Sequence, residues 1–109
     1  MAWLVRDGEV LATLEVVEGV GGRIRGLLGR EHVEGAVLLR PAKSVHTVGM
    51  RFPIDVAYVD DDMSVVRTVR MKTWRVGRPV MKARGVIEAE AGAFAKWNLR
   101  VGDHLEIKG

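Results

Sequence analysis

The chain has 109 residues, of which 48% are hydrophobic and 28% charged, and its net charge is +3. That size and balance suit one soluble globular domain over residues 1–109, able to bury about 60–65% of its unfolded surface without staples. It contains no cysteine, which excludes disulfides, thiolate catalysis and cysteine-ligated zinc or iron–sulfur sites.

Met1 to Gly8 carry neither a basic segment nor a long apolar run, and no stretch approaches the ~18 apolar residues of a membrane span. Neither a secretory leader nor a transmembrane segment is expected, and the expected compartment is the cytoplasm.

Trp3 to Arg6 and Glu9 to Val17 flank Asp7-Gly8, a pairing that predicts a two-residue hairpin turn. In the second strand Val10, Ala12, Leu14 and Val16 fall on one face by alternation. Glu18 to Gly22 then breaks the pairing. Arg23 to Arg30 reads as a short helix, with Ile24, Leu27 and Leu28 spaced as one apolar stripe. Ala36 to Leu39 reads as a buried strand closed by Pro41, and Ser44 to Phe52 as irregular or a short strand.

Ile54 to Val59 is apolar at every position but one, which predicts a central strand covered on both faces. Asp60-Asp61-Asp62 forms a turn, and Ser64 to Met71 a strand hairpinned to the one before. Lys72 to Arg84, with Gly77 and Pro79, is the longest loop. Val86 to Ala91 is a further strand, and Ala93 to Leu99 one or two helical turns carrying Phe94 and Trp97. Gly102-Asp103 turns into a last strand, His104 to Ile107. The pattern predicts an α+β domain that is mostly β, a curved antiparallel sheet or small barrel with one or two short helices.

Charge is unevenly spread. No acidic residue lies between Met63 and Ile87, a window that holds Arg67, Arg70, Lys72, Arg75, Arg78, Lys82 and Arg84. If these side chains share a face, they attract an anionic ligand, protein partner or membrane surface. Trp74 stands among them as a lone aromatic. Nucleic-acid binders present several stacking aromatics or a recognisable module, so nucleic acid is disfavoured.

Asp55 is the one charged residue of Ile54 to Val59. A buried, unpaired carboxylate costs several kcal/mol, so it must be hydrogen-bonded, paired or protonated. The nearest partners in sequence are His46, Thr47 and Arg51. Two readings stand: a structural cap or ion pair, or a small-ligand site formed by His46, Thr47, Arg51 and Asp55. The three histidines lack metal-ligand spacing. Gly19 to Ile24 lacks the full glycine pattern of a phosphate loop, and no Walker lysine follows. Neither a catalytic residue, a metal site nor a cofactor is assigned.

Four motifs occur in order: Arg23-x-x-Gly26-Leu27-x-x-Arg30, Phe52-Pro53-Ile54-Asp55, Ile87-Glu88-x-x-Ala91-Gly92 and Gly102-Asp103. In these the chain resembles the bacterial and archaeal domain-of-unknown-function family 192, also called uncharacterised protein family 0127, over about residues 9–107. The resemblance implies a small β-rich domain and brings no established activity. Many relatives look exported, and one subgroup carries a cysteine near the position of Ala42. Arg23, Gly26, Arg30, Glu88, Gly92 and Asp103 are read as structural motif residues, the arginines and acids as internal ion pairs. The expected function is a non-enzymatic binding or accessory domain with an anionic ligand or partner. The alternative is a small-ligand or hydrolytic site around His46, Arg51 and Asp55.

Overall fold

A computed structural model of the chain describes residues 2–19 and 32–109. The expected helix at 23–30, and with it Arg23, Gly26 and Arg30, lies outside the described residues. The elements are β1 (Ala2–Arg6), β2 (Glu9–Glu18), β3 (Ala36–Arg40), β4 (Ile54–Val59), β5 (Val65–Met71), β6 (Gly85–Glu90), α1 (Ala93–Trp97) and β7 (Glu106–Lys108).

The β1–β2 hairpin turns where expected, with Asp7 and Gly8 both at positive φ (50° and 80°). This is the backbone that a two-residue turn needs to match the right-handed twist of its strands. The register slips between Leu4 and Val5, so that Leu4 opposes Ala12 while Val5 opposes Val10. The extra residue brings Leu11 against the core and leaves Val10 56% exposed. Simple alternation had placed Val10 with Ala12, Leu14 and Val16; the bulge corrects it.

The seven strands form one sheet in the order β5-β4-β6-β3-β2-β1-β7. All neighbours are antiparallel except β2 and β3, which run parallel. Residues 19–35 connect them, long enough for the crossover that parallel pairing requires. The sheet is therefore mixed. It curves until its outer strands approach: Ser64 bridges His104, and Val65 N–H donates to Asp103 O at 2.8 Å. The seam stops at these few bonds, because β7 is only 3 residues long, and the sheet stays unclosed. The last strand starts at Glu106 rather than His104.

β4 is buried at every position, and its alternation divides the core in two. Ala57 and Val59 face inward with Leu4, Leu14, Leu38, Ile87, Phe94 and Leu105. Ile54, Val56 and Tyr58 face outward against Val37, Met50, Met71, Ala83 and Val86. The inner face is covered by α1, whose Phe94 and Trp97 rings lie 5.6 Å apart. The outer face is covered by the segments flanking β4 and β5. Among the described residues no helix is long and apolar enough to cross a membrane.

Arg6 ties the C-terminal end of α1 to β1. Its guanidinium donates to Trp97 O (2.8 Å), Asn98 O (3.1 Å) and the Asp103 carboxylate (3.0 Å). The same Asp103 oxygen accepts from Arg100 N–H at 2.9 Å. That backbone bond first, and the Arg6 side chain second, hold the Asp103 carboxyl below its usual pKa. A carboxyl depressed on folding stabilises above its unfolded pKa, and the contribution is lost as pH falls through the lower folded value. Asp103→Asn is expected to cost about 1 kcal/mol at neutral pH. Urea denaturation across the acid range should show the gap to wild type closing as pH falls.

Candidate functional site

The longest loop is anchored rather than free. Val80 N–H donates to Lys43 O (2.8 Å), Gly77 N–H to Val45 O (2.9 Å), Thr47 N–H to Arg75 O (2.8 Å) and Trp74 N–H to Thr47 O (2.9 Å). With the His46–Val76 bridge, these bonds zip residues 43–47 to 74–80 as an irregular antiparallel ribbon. Thr47 is its fastener: fully buried, its hydroxyl donates to Lys72 O at 2.6 Å and accepts from Arg75 N–H at 2.8 Å.

Gly77 permits the ribbon to lie down on the sheet. A Cβ there would stand 2.8 Å from Val45 O and 3.2 Å from the Tyr58 hydroxyl. Only a residue without a side chain allows that approach.

Between the ribbon and β5 lies a groove of about 460 Å³. Arg67, Arg70, Lys72, Arg75 and Arg78 line it, with Val69, Met71 and Tyr58. Five of the seven cations of the acid-free window are thus brought to one concave surface, while Trp74, Lys82 and Arg84 lie outside its lining. Among the described residues, Arg67, Lys72, Arg75 and Arg78 form no ion pair. Tyr58 and Gly77 were missed by sequence reasoning. Tyr58 is the chain's single tyrosine and reads as one more core residue of β4. Burial raises its pKa, Arg67 pulls it back, and Glu88 adds to the rise. At neutral pH its hydroxyl is a neutral hydrogen-bonding group.

Asp55 is the other strong electrostatic feature, and it lies on the opposite face. Its Oδ1 accepts from Arg70 Nε at 3.0 Å. Its Oδ2 accepts from the backbone N–H of Gly92 (2.9 Å) and of Phe94 (3.1 Å). Gly92 is the N-cap of α1 and supplies no side chain for the task, so Asp55 caps the helix from a distant strand. Its side chain is 5% exposed, beneath a shallow depression of about 320 Å³ beside Thr68, Arg70 and Phe94.

The expected cluster of His46, Thr47, Arg51 and Asp55 is not assembled. The segment carrying His46 and Thr47 packs over the outer face through Val45 and Met50, whereas Asp55 alternates inward. His46 is exposed and its Nδ1 accepts from Val48 N–H at 3.3 Å; Arg51 is exposed. Asp55 draws its partners from β5 and α1. Glu88 is 2% exposed on the outer face, opposite Val37 and Val56. Among the described residues no three His, Asp or Glu side chains gather as metal ligands.

Fold and groove together define a small β-rich domain with a cationic concavity. The chain belongs to the domain-of-unknown-function family 192, described as an uncharacterised ACR, whose profile matches residues 2–107. A protein of uncharacterised protein family 0127 from Pyrococcus furiosus is 35% identical over 63 residues, 58% of this chain and 54% of that one. The match thus spans about half the length of that relative. Another from Pyrococcus abyssi is 26% identical over 98 residues, 85% of this chain and 84% of its own.

Two crystal structures share the fold. One, a protein of unknown function from Novosphingobium aromaticivorans, superposes with TM-score 0.76 at 17% identity, covering 96% of this chain and 82% of that one. The other, from Sinorhizobium meliloti and described as a candidate transcription regulator, gives 0.78 at 19%, covering 96% and 90%.

Asp55→Ala should cost about 3 kcal/mol, since it strips the cap from α1 and leaves one buried and one part-buried amide unpaired. Arg70→Ala should cost only about 1 kcal/mol, because the guanidinium is largely in water and the two amides still hold the carboxylate. Chemical denaturation of both variants measures the difference. The phenol offers a second check: absorbance titration reports Tyr58 alone, and its ionisation is expected above the ordinary value of 10.0. Arg67→Ala should move it further up, and the associated loss of stability begins as pH rises through the unfolded value.

Proposed function

We propose that this domain is a non-enzymatic binding or accessory module whose anionic partner docks in the groove between β5 and the 43–47/74–80 ribbon. The observation that carries the reading is the convergence of Arg67, Lys72, Arg75 and Arg78 on one cavity with no carboxylate among the described residues paired to them. Unpaired cations around low-dielectric walls focus a positive field and draw anions in. Arg70 contributes charge but is oriented by Asp55. The Tyr58 hydroxyl, kept protonated by burial, is a neutral partner at the floor.

A hydrolytic or small-ligand site at His46, Arg51 and Asp55 is less well supported, because the carboxylate is committed to Arg70 and two backbone amides. Nucleic acid is the less favoured anion. The groove's one aromatic is Tyr58, which is 2% exposed and offers no face for stacking. The likeness to a candidate transcription regulator, at 19% identity, carries the fold and not that activity. A cytoplasmic location agrees with this reading.

Inorganic polyphosphate tests it as a simple soluble anion. Its affinity should fall steeply as salt rises, and Lys72→Glu with Arg75→Glu should weaken it by about tenfold or more with the fold intact. Affinity indifferent to salt and to both reversals would overturn the proposal.

A further inference from the structure

The groove's outer wall has a second character. Residues 41–54 contain no Asp or Glu, just as 63–87 contain none, and the two stretches are the ones zipped together. Val45 of the ribbon packs on the sheet's outer-face cluster, which Met50, Met71 and Ala83 beside it complete. On and beside it four large apolar side chains stand in water: Val48 at 39%, Trp74 at 64%, Met81 at 72% and Val76, which also lines the groove, at 78% exposure. Lys43, Lys72, Arg75, Arg78 and Lys82, all exposed, alternate with them.

Trp74 sits at positive φ (58°), a conformation that bulky residues rarely adopt and that the surrounding structure must enforce. Its N–H to Thr47 O and the adjacent Arg75 N–H to the Thr47 hydroxyl supply that enforcement. Trp74 and Arg75 together oppose the single residue Thr47, which is the form of a β-bulge, and bulges re-aim side chains. Here the outcome is an indole held out of the fold.

We infer that the ribbon docks this domain on an anionic lipid bilayer, with Trp74, Val76 and Met81 entering the headgroup region and Lys72, Arg75, Arg78 and Lys82 meeting lipid phosphates. This rests on the reading that the groove region takes an anionic partner, and it names that partner. Charge complementarity selects an anionic surface, since no acidic side chain occurs along either strand of the ribbon. The apolar side chains select lipid over an acidic protein. Trp74 and Met81 stand exposed outside the groove lining, and a fluid interface admits such side chains without a matching cavity. Indole prefers that interface, with its ring in apolar surroundings and its N–H at the wet side. A nucleic-acid strand would need further aromatics to stack upon, and the ribbon has one.

The experiment uses the full chain with vesicles of phosphatidylcholine alone, vesicles of phosphatidylcholine mixed with phosphatidylglycerol, and inorganic polyphosphate. Sedimentation should show binding to the mixed vesicles and little to the neutral ones. Emission should shift to the blue on binding, and Trp74→Phe should remove that shift although Trp3 and Trp97 remain. Combining Trp74→Ser and Met81→Ser should lower vesicle partitioning by about tenfold or more while changing polyphosphate affinity less than about twofold. These positions are solvent-exposed, so unchanged thermal midpoints should accompany the loss.

Polyphosphate binding without vesicle binding overturns the lipid assignment and leaves the cationic groove standing. Failure of both overturns the groove as well. Vesicle binding that ignores the double variant and gives no Trp74 shift reduces the contact to charge adsorption and overturns insertion.

Discussion

A carboxylate placed on the inward face of an apolar central strand would destabilise the sheet by several kcal/mol unless every lone pair found a donor. At Asp55 the requirement is met from three places at once: the guanidinium of Arg70 on β5 and the amides of Gly92 and Phe94 at the start of α1. The consequence runs beyond one residue. A helix of 5 residues has no independent stability, and its N-cap is a glycine without a side chain to offer. The buried Asp55 supplies the missing acceptor and thereby fixes where α1 lies on the inner core. Phe94 and Leu99 then seal that core against solvent.

The same bond divides labour on β5. Alternation turns Arg70 to the inner face, where it meets Asp55, and turns Arg67, Val69 and Met71 to the outer face with Tyr58, Val56 and Ile54. β5 is an outer strand of the sheet, and cations there discourage unwanted pairing by another chain. The ribbon adds Lys72, Arg75 and Arg78 beside it. The groove exists because the ribbon is pinned by Thr47 and Gly77 at a fixed height above the sheet. A loop without those two anchors would scatter the same charges into solvent.

Much of the framework was legible from local signals. Asp7-Gly8 demands positive φ at both residues, so the first hairpin followed from the turn chemistry alone. An apolar run broken only by Asp55 in Ile54 to Val59 announced a strand covered on both sides, and the β4–β5 hairpin followed from the Asp60–Asp62 turn. The partner of Asp55 was not legible. Counting back across the hairpin from Val59 opposite Val65 would pair Asp55 with Val69. A register shift between Tyr58 and Val59 makes it Arg70. His46 and Thr47, close in sequence, belong to the opposite face. The slip that exposes Val10 has the same origin: one extra residue inverts every assignment beyond it.

Composition and patterning by themselves determined a small β-rich domain, its central strand, its turns, and the concentration of positive charge between Met63 and Ile87, because each depends on near neighbours in the chain. The tertiary structure alone decided that five of those cations share a concavity, that Thr47 and Gly77 hold it open, and that Asp55 caps a helix 37 residues away. Such facts depend on strand order and register. Those are set by how two faces of one curved sheet are covered, and no short window of sequence contains both the face and its cover.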